Sequence, residues 1–375
     1  MVGRPVEPEV TTRTVGVEEE FLLVDARTHQ PVPLGPALVR DAGDPCIRTE
    51  FKQEQVEITS RPCRSMDELA ADLAHLRRRV GALADLRDAV VVASGTWPGV
   101  HEPVAGNSPR FSRIDHAFGQ LARQQLTCGT HVHVAVDSPE EGIVALDRMR
   151  PWLSVLTALS ANSPFWQGRD TGCASFRSVV LSQLPTAGPT DAWGDLENYR
   201  GVAKQVIDAG GAFDEGMLYY DARLSARYPT VEVRVTDVSP DPEVAVMVAA
   251  LCRALVVSAV RGALLPEAVS SRQPSAGSSA VSTAVLRAAA WRSARHGLTE
   301  RLVNPATAEL VSAKEAVGSL LTVTGDALEE EGDVERVRAC VDRLLGEGGI
   351  AERQRRLVNP LAAGPGMGMG DFRVA

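Results

Sequence analysis

The stretch CGTHVHVAV, residues 128–136, places two of the seven histidines of the chain on alternate positions. Residues that alternate in this way point to opposite faces of a β-strand. The valines at 132, 134 and 136 therefore share one face, and His131 and His133 lie on the other. The segment predicts a strand that packs on a hydrophobic core through its valines and carries imidazoles on its opposite face.

A second segment, TVEVRVTD at residues 230–237, repeats the alternation with charged residues in place of the histidines. The valines at 231, 233 and 235 are predicted on the hydrophobic face, and the opposite face receives Glu232, Arg234 and Thr236. A third segment, VGVEEEFLLV at residues 15–24, places Glu18 and Glu20 on one face, while Glu19 interrupts the hydrophobic face. These three segments predict strands with charged faces.

A fourth candidate strand, EFKQEQVEI at residues 50–58, ends with Val56 and Ile58 on one side and Glu57 on the other. An antiparallel sheet that packs on helices through one face tolerates polar residues on the other, but clustered carboxylates repel one another unless cations intervene. Carboxylates with occasional histidine suit Mg²⁺ or Mn²⁺, which commonly also hold nucleotide phosphates. An arginine such as Arg234 suits a phosphate oxygen. The pattern predicts a cation-filled concavity.

The composition is that of an ordinary globular protein, with 375 residues, 44% hydrophobic and 23% charged. A formal charge of −9 disfavours nucleic acid or an anionic membrane as the main partner. The apolar run at 244–265 contains Arg253 and Arg261, which predicts a buried helix and no membrane span. Six cysteines without a CxxC pair, and an N-terminus without an apolar signal core, predict a reducing, cytoplasmic location.

The remaining pattern predicts an α+β fold with an antiparallel sheet, because strands do not alternate regularly with helices. Ser65 to Glu68 form a capping-box candidate before a long helix. Further elements are predicted as a strand at 90–93, helices at 112–126 and 139–159, loops with short elements at 162–220, a helix from 242, a linker at 270–282 and several helices over 281–358. The acidic run at 329–331 is predicted to be solvated surface. Residues 1–12 are predicted as a flexible tail and 13–375 as a single domain.

Four ordered motifs, VGVEEEFLLV, CGTHVHVAV, SANSPFWQGRDTGCASFRSVV and TVEVRVTD, resemble the carboxylate-amine ligase family, also called type-2 glutamate-cysteine ligases. The resemblance extends over nearly the whole chain. It implies a fold similar to that of glutamine synthetase, in which a curved antiparallel sheet flanked by helices forms a funnel that holds divalent metals between ATP and an amino acid.

The resemblance also implies roles for individual residues. It implies that the metal-site residues are Glu18, Glu20, Glu57, His131 and Glu232. Arg234 corresponds to a phosphate contact, Arg177 to an arginine near the substrate and the transferred phosphoryl group, and Glu57 and His133 to further cofactor contacts. Glu50 matches an acid before the QVEI element, and the resemblance does not fix its role.

The implied reaction is activation of a carboxylate by ATP to an acyl phosphate, followed by attack of an amine to form an amide. Glutamate is the implied carboxylate and cysteine the default amine, with Mg²⁺ or Mn²⁺ as the metal, and a homo-oligomer is compatible with the sequence. Two alternatives stay open, namely a guanidino kinase-like phosphotransferase, which uses a similar sheet, and a metal-dependent amide hydrolase built on the HxH pair. No HExxH, GxSxG or P-loop motif is present.

Overall fold

A computed structural model describes residues 12–264, 281–357 and 373. Its strands are β1 (Val15–Asp25), β2 (Ile47–Thr49), β3 (Gln55–Thr59), β4 (Ala89–Val92), β5 (Gly129–Ala135), β6 (Phe165–Trp166), β7 (Arg169–Asp170), β8 (Ala222–Leu224), β9 (Thr230–Asp237), β10 (Leu302–Val303) and β11 (Leu310–Val311). Its α-helices are α1 (Gly35–Ala42), α2 (Met66–Asp85), α3 (Pro109–Phe118), α4 (Gln120–Gln124), α5 (Pro139–Met149), α6 (Leu153–Ser160), α7 (Phe176–Leu181), α8 (Leu196–Asp208), α9 (Pro242–Val260), α10 (Thr283–His296), α11 (Ala313–Glu330), α12 (Val334–Glu347) and α13 (Ile350–Leu357).

Seven strands form one sheet in the order β2-β3-β1-β5-β9-β8, and β4 also pairs with β1. Each of these pairings is antiparallel. Helices α2 and α9 contact β1, and α5 and α6 contact β9. The predicted α+β class with an antiparallel sheet is therefore confirmed.

The register of the sheet aligns the predicted site residues across its central strands. Glu20 on β1 lies opposite Glu57 on β3, and Glu18 lies opposite His131 on β5. In turn, His133 lies opposite Glu232 on β9. Because side chains directly opposite each other in an antiparallel ladder share a face, the register alone gathers these acids and histidines on one side of the sheet.

Glu19, which interrupts the hydrophobic face of β1, is fully buried against helix α2. Its two carboxylate oxygens accept hydrogen bonds from Arg77, at 2.8 Å from Nε and 2.6 Å from Nη2. Arg77 also donates to the carbonyl oxygens of Ser239 and Pro240, which precede α9. The apparent exception to the alternation is thus a buried ion pair that ties the sheet to α2 and to the segment after β9.

We expect Arg77→Met to lower the free energy of unfolding by about 3 kcal/mol, because it leaves the Glu19 carboxylate buried without its partner. Chemical denaturation measures this loss. The double variant Glu19→Leu/Arg77→Met should recover much of it, because no charge then stays buried. An Arg77→Met protein that unfolds at the same denaturant concentration as the original would contradict the expectation.

Strand β9 contains a β-bulge that the alternation pattern did not predict. Thr130 pairs with Thr236 and Val132 with Val233, so that two residues of β9, Arg234 and Val235, lie opposite one residue of β5. The predicted placement of Val235 on the hydrophobic face is therefore wrong, since Val235 lines the polar cavity. Thr236, predicted on the charged face, is also misplaced, since it is buried with its hydroxyl donating to the Thr130 carbonyl.

Helix α9 is long and apolar enough to cross a membrane, but 83% of its most apolar stretch is buried inside the protein. It packs against α5, α11 and the sheet, as the prediction of a buried helix requires. Arg253, which interrupts the apolar run, is itself buried and bonds to Asp333 at 2.6 Å and to Glu331 at 3.4 Å. Of the acidic run at 329–331, the first two residues are exposed and the third contacts this arginine.

Several predicted boundaries differ from the structure. The capping box at Ser65 is confirmed. The strand predicted at 50–58 begins only at Gln55, because the preceding residues turn to bond with the loop at 104–106. The helix predicted at 112–126 is two helices divided at Gly119, whose φ is +55°. The region at 162–220 contains the 13-residue helix α8 as well as loops. Most of the predicted linker at 270–282 lies outside the described residues.

Candidate active site

The polar face of the sheet forms one wall of a cavity of about 1130 Å³. Helices α3, α7 and α10 and the loop before β8 contribute the other walls. All of the residues singled out from the sequence line this one cavity, namely Glu18, Glu20, Glu50, Glu57, His131, His133, Arg177, Glu232 and Arg234. Residues that are more than 200 positions apart in the chain therefore converge on one space.

One group of potential metal ligands consists of Glu18, His133 and Glu232, each of which has a ligand atom within 4.8 Å of the others. The Nδ1 atom of His133 lies 2.9 Å from the Thr230 hydroxyl, which orients the ring. Its Nε2 atom is buried, has no hydrogen-bond partner among the described residues and lies 3.7 Å from Glu18. A buried nitrogen held beside two carboxylates in this way fits a metal ligand.

His131 contacts Glu18 but is not one of the three residues whose ligand atoms lie within 4.8 Å of one another. Its Nδ1 atom lies 3.5 Å from Glu18. Burial opposes ionisation of Glu18, but hydrogen bonds from both histidines outweigh burial and hold the pKa of that carboxyl well below its usual range. Burial and the positive charge of Arg234 lower the pKa of His131. A neutral His131 beside an ionised Glu18 is the protonation state in which both can bind a cation.

The second group consists of Glu20, Glu50 and Glu57, again with ligand atoms within 4.8 Å of one another. Burial, followed by the charge of Glu20, raises the pKa of Glu50 to about 8. Burial, followed by the charge of Glu18, raises the pKa of Glu57 well above its usual range. Three carboxylates at this separation repel one another, and a divalent cation between them would remove the repulsion.

The donor set of both groups is dominated by carboxylate oxygen, with one or two imidazoles. No cysteine is among the cavity-lining residues in the described part of the chain. Oxygen-rich sites of this kind suit hard cations such as Mg²⁺ and Mn²⁺ better than Zn²⁺. The residues present therefore fit the metals that the sequence predicts.

Glu232 lies between two arginines. Arg223 on β8 donates to it from Nε at 2.8 Å, and the Nη1 atom of Arg234 contacts its other oxygen. Burial opposes ionisation of Glu232, but the charges of Arg234 and Arg223 hold its pKa well below the usual range. Arg234 is thus near carboxylates, as its place on the strand predicts, and it needs only a change of partner to contact an anion in the cavity.

Arg177 is the second residue of helix α7, on another wall of the cavity, and is 3% exposed. Its Nη2 atom donates to the carbonyl oxygen of Arg234 at 3.2 Å, so the two arginines predicted from the sequence are in direct contact. This contact joins α7 to β9. It brings two guanidinium groups to the part of the cavity that also contains Glu20 and Glu50.

Three further residues of the wall were missed from the sequence. Arg48 lies opposite Glu57 in the ladder, Arg223 holds Glu232, and Tyr228 packs its ring against His133 at 5.8 Å between centroids. Arg48 and Arg223 lie on strands of only three residues, too short for an alternation pattern to be recognised. The Arg-Tyr-Pro turn before β9 was the one local signal available for Tyr228.

Comparison with known proteins gives the family. The model of glutamate-cysteine ligase family 2 (GCS2) matches residues 14–368. The chain belongs to this family. A relative from Streptomyces coelicolor, provisionally named glutamate–cysteine ligase 2, is 43% identical over 92% of this chain and 94% of its own length. A second, from Paenarthrobacter aurescens, is 42% identical over 92% of this chain and 90% of its own length. The resemblance noted in the sequence is therefore confirmed.

Solved structures of ligases share the fold. The glutamate–cysteine ligase of Francisella tularensis aligns with a TM-score of 0.65 at 13% identity, covering 93% of this chain and 85% of that one. The bifunctional glutathione synthetase of Pasteurella multocida aligns with a TM-score of 0.62 at 16% identity, covering 96% and 52%. These identities are low, so they bear on the fold alone. Membership of the glutamate-cysteine ligase family supports neither the phosphotransferase nor the hydrolase alternative.

Proposed function

We propose that this protein is an ATP-dependent ligase that joins the γ-carboxyl group of glutamate to an amine, with cysteine as the first amine to test. The observation that carries the proposal is the convergence of two carboxylate-rich groups and two buried arginines on one cavity in a chain of the glutamate-cysteine ligase family. The Francisella tularensis glutamate–cysteine ligase was solved in complex with AMP, which supports a nucleotide as a ligand of this fold.

The proposed reaction has two steps. The substrate carboxylate attacks the terminal phosphorus of ATP, which forms an acyl phosphate and releases ADP. The amine then attacks the acyl carbon, phosphate leaves and the amine loses a proton. Bound Mg²⁺ or Mn²⁺ would supply charge neutralisation on the phosphates during the first step.

The chain's own residues hold and orient the reactants. Glu18, His133 and Glu232 would hold one metal, with Thr230 fixing the ring of His133. Glu20, Glu50 and Glu57 would hold a second. Arg234 and Arg177 would bind the phosphoryl oxygens and stabilise their charge during transfer. No covalent nucleophile is needed in this chemistry.

Release of ADP tests the proposal. Purified protein with Mg²⁺, ATP and glutamate is expected to release ADP in the presence of an amine from a panel that includes cysteine, with a product mass equal to that of the amide. Omission of glutamate or of the amine provides the control. ATP turnover that is independent of both, or an absence of any amide product across the panel, would contradict the proposal.

Metal binding is expected to stabilise the fold more at pH 8 than at about pH 5.5. A carboxyl whose pKa is higher in the folded than in the unfolded chain contributes stability that is complete below the unfolded value. For Glu50 that contribution is lost as the pH rises from about 4.5 towards 8, and Glu57 shifts in the same direction. Bound Mg²⁺ would remove this loss, because it takes the place of the protons.

Melting temperatures at the two pH values, with and without Mg²⁺, measure the effect. Calorimetry in buffers of different ionisation enthalpy should also detect protons released when Mg²⁺ binds near pH 7. An Mg²⁺-induced rise in melting temperature that is equal at both pH values would argue against the second carboxylate group as a metal site.

A further inference from the structure

Gly129, the first residue of β5, lies where the second carboxylate group meets Arg177. Its backbone N–H donates to Glu20 Oε2 at 2.6 Å. It shares the cavity face of β5 with His131 and His133, since it precedes them by two and four positions. A Cβ atom at this position would lie 2.2 Å from Nη2 and 2.6 Å from Cζ of Arg177. The guanidinium therefore packs directly against the Gly129 backbone, in space that the side chain of any other residue would occupy.

Asp237 lies directly opposite Gly129 in the ladder and holds the other side of this arrangement. It is 2% exposed and accepts hydrogen bonds from Asn162 N at 2.8 Å and from the hydroxyls of Ser163 and Ser175 at 2.7 and 2.9 Å. Its Oδ1 atom lies 3.8 Å from Nη1 of Arg177. The hydroxyl of Ser163 in turn accepts a hydrogen bond from the Arg177 backbone N–H.

Arg177 is therefore enclosed rather than loosely placed. The carbonyl oxygen of Arg234, the Asp237 carboxylate and the bare backbone of Gly129 each contact one part of the guanidinium. Its Nε atom is buried without a hydrogen-bond partner in the described part of the chain. A buried donor without a partner lowers the stability of the fold, so stability alone does not explain why Arg177 is held in this position.

We propose that Gly129 and Asp237 are positioning residues that fix the Arg177 guanidinium relative to Glu20, and so set the distance between a metal-binding carboxylate and the arginine that receives an oxyanion. Gly129 contacts both partners. Its backbone N–H donates a hydrogen bond to Glu20, and its lack of a side chain leaves room for the Arg177 guanidinium. Asp237 prevents the guanidinium from leaving the bare backbone. The role of Arg177 as the residue that receives an oxyanion rests on the proposed function, whereas its placement by Gly129 and Asp237 does not.

A double-mutant cycle in the full-length protein tests the proposal. Gly129→Ala is expected to lower kcat for ADP release on the order of 10²-fold, because a displacement of about 1 Å at a reacting centre has an effect of this size. The KM for ATP should change much less. In an Arg177→Ala background the same substitution is expected to change kcat by less than about twofold, since its target is absent. An equal loss in both backgrounds would overturn the proposal.

A spectroscopic signal provides a readout that does not depend on activity. The Nε–H of a buried arginine exchanges slowly with water and gives a resolved ¹H–¹⁵N resonance, which Arg177→Lys identifies by its disappearance. Gly129→Ala and Asp237→Asn should each shift or broaden this resonance. Gly325→Ala in α11, where an added Cβ meets nothing within 4 Å, should leave it unchanged and is the matched control.

The two readouts separate the possible failures. Unchanged Arg177 resonances in both Gly129→Ala and Asp237→Asn would overturn the positioning roles, whatever the activity. Shifted resonances in a protein that releases no ADP would support the placement and reject the proposed ligase function. If Gly129→Ala fails to fold, Asp237→Asn, which is nearly the same size as the original residue, decides through the same resonance and the same kcat-to-KM comparison.

Discussion

Arg234→Ala is expected to fold and yet to release ADP more slowly on the order of 10³-fold, because an arginine that stabilises charge on a phosphoryl group in transfer contributes an effect of that size. Arg234→Lys should also be impaired, since lysine keeps the charge but loses the planar fork. The measurement is the rate of ADP release with glutamate and the best amine, beside a melting temperature for each variant.

The structure sharpens this expectation, because Arg234 is largely buried at the cavity wall and contacts Glu232, one of the proposed metal ligands. A purely structural arginine would affect stability and leave turnover in the folded fraction intact. Arg200→Ala on α8, which is exposed and outside the cavity lining, is the control for a lost positive charge. Near-normal turnover in a folded Arg234→Ala protein would remove Arg234 from the proposed mechanism.

Glu57→Gln is expected to abolish most activity while it stabilises the metal-free protein. Loss of a metal ligand removes several kcal/mol of charge stabilisation, which corresponds to a fall in kcat on the order of 10²- to 10³-fold. Burial and the charges of Glu18, Glu50 and Glu20 oppose ionisation of Glu57, so a neutral amide of the same shape relieves repulsion at pH 8. Calorimetric Mg²⁺ titration, turnover and metal-free melting temperature measure the three effects.

The matched control is Glu19→Gln on the opposite face of the sheet. Glu19 is held by Arg77 rather than by other carboxylates, so the same chemical change there should lower the melting temperature. Opposite signs at two glutamates of one sheet would separate a metal-binding acid from a structural one. A Glu57→Gln protein that is destabilised without metal, or that keeps full Mg²⁺ affinity, would contradict the proposed role of the second carboxylate group.

The alternation of residue types was enough to predict the central strands and the face on which their acids lie. It succeeded for β5 and for the first half of β9 because their valines alternate regularly. In β1 the hydrophobic face has one exception, Glu19, and the alternation of Val15 and Val17 with Glu18 and Glu20 was still sufficient. It failed where a short strand offered no period, as at Arg48 and Arg223, and where tertiary contacts ended a strand early, as before Gln55. Helix α8 was missed because flanking glycines and prolines dominated the local composition.

Residue choice within the site was harder to predict than the site itself. His131 and His133 are equivalent by spacing, and only the ladder shows that His133 faces Glu232. Gly129 carried no chemical signal of its own, because its effect depends on an arginine nearly fifty residues later in the chain. The sequence could give the carboxylates of the cavity but not the contacts that orient them.

The bulge in β9 inserts one extra residue, so that the alternation of side chains between the two faces of the sheet is reversed after it. Up to Arg234 the even-numbered residues lie on the cavity side of the sheet, and from Val235 onward the odd-numbered ones do, which brings the buried Asp237 to the same side as Glu232. Without the extra residue, Asp237 would point into the core and Thr236 into the cavity. A deletion of one residue at the bulge should therefore be far more damaging than most substitutions. It would move each later residue of β9 to the opposite face of the sheet.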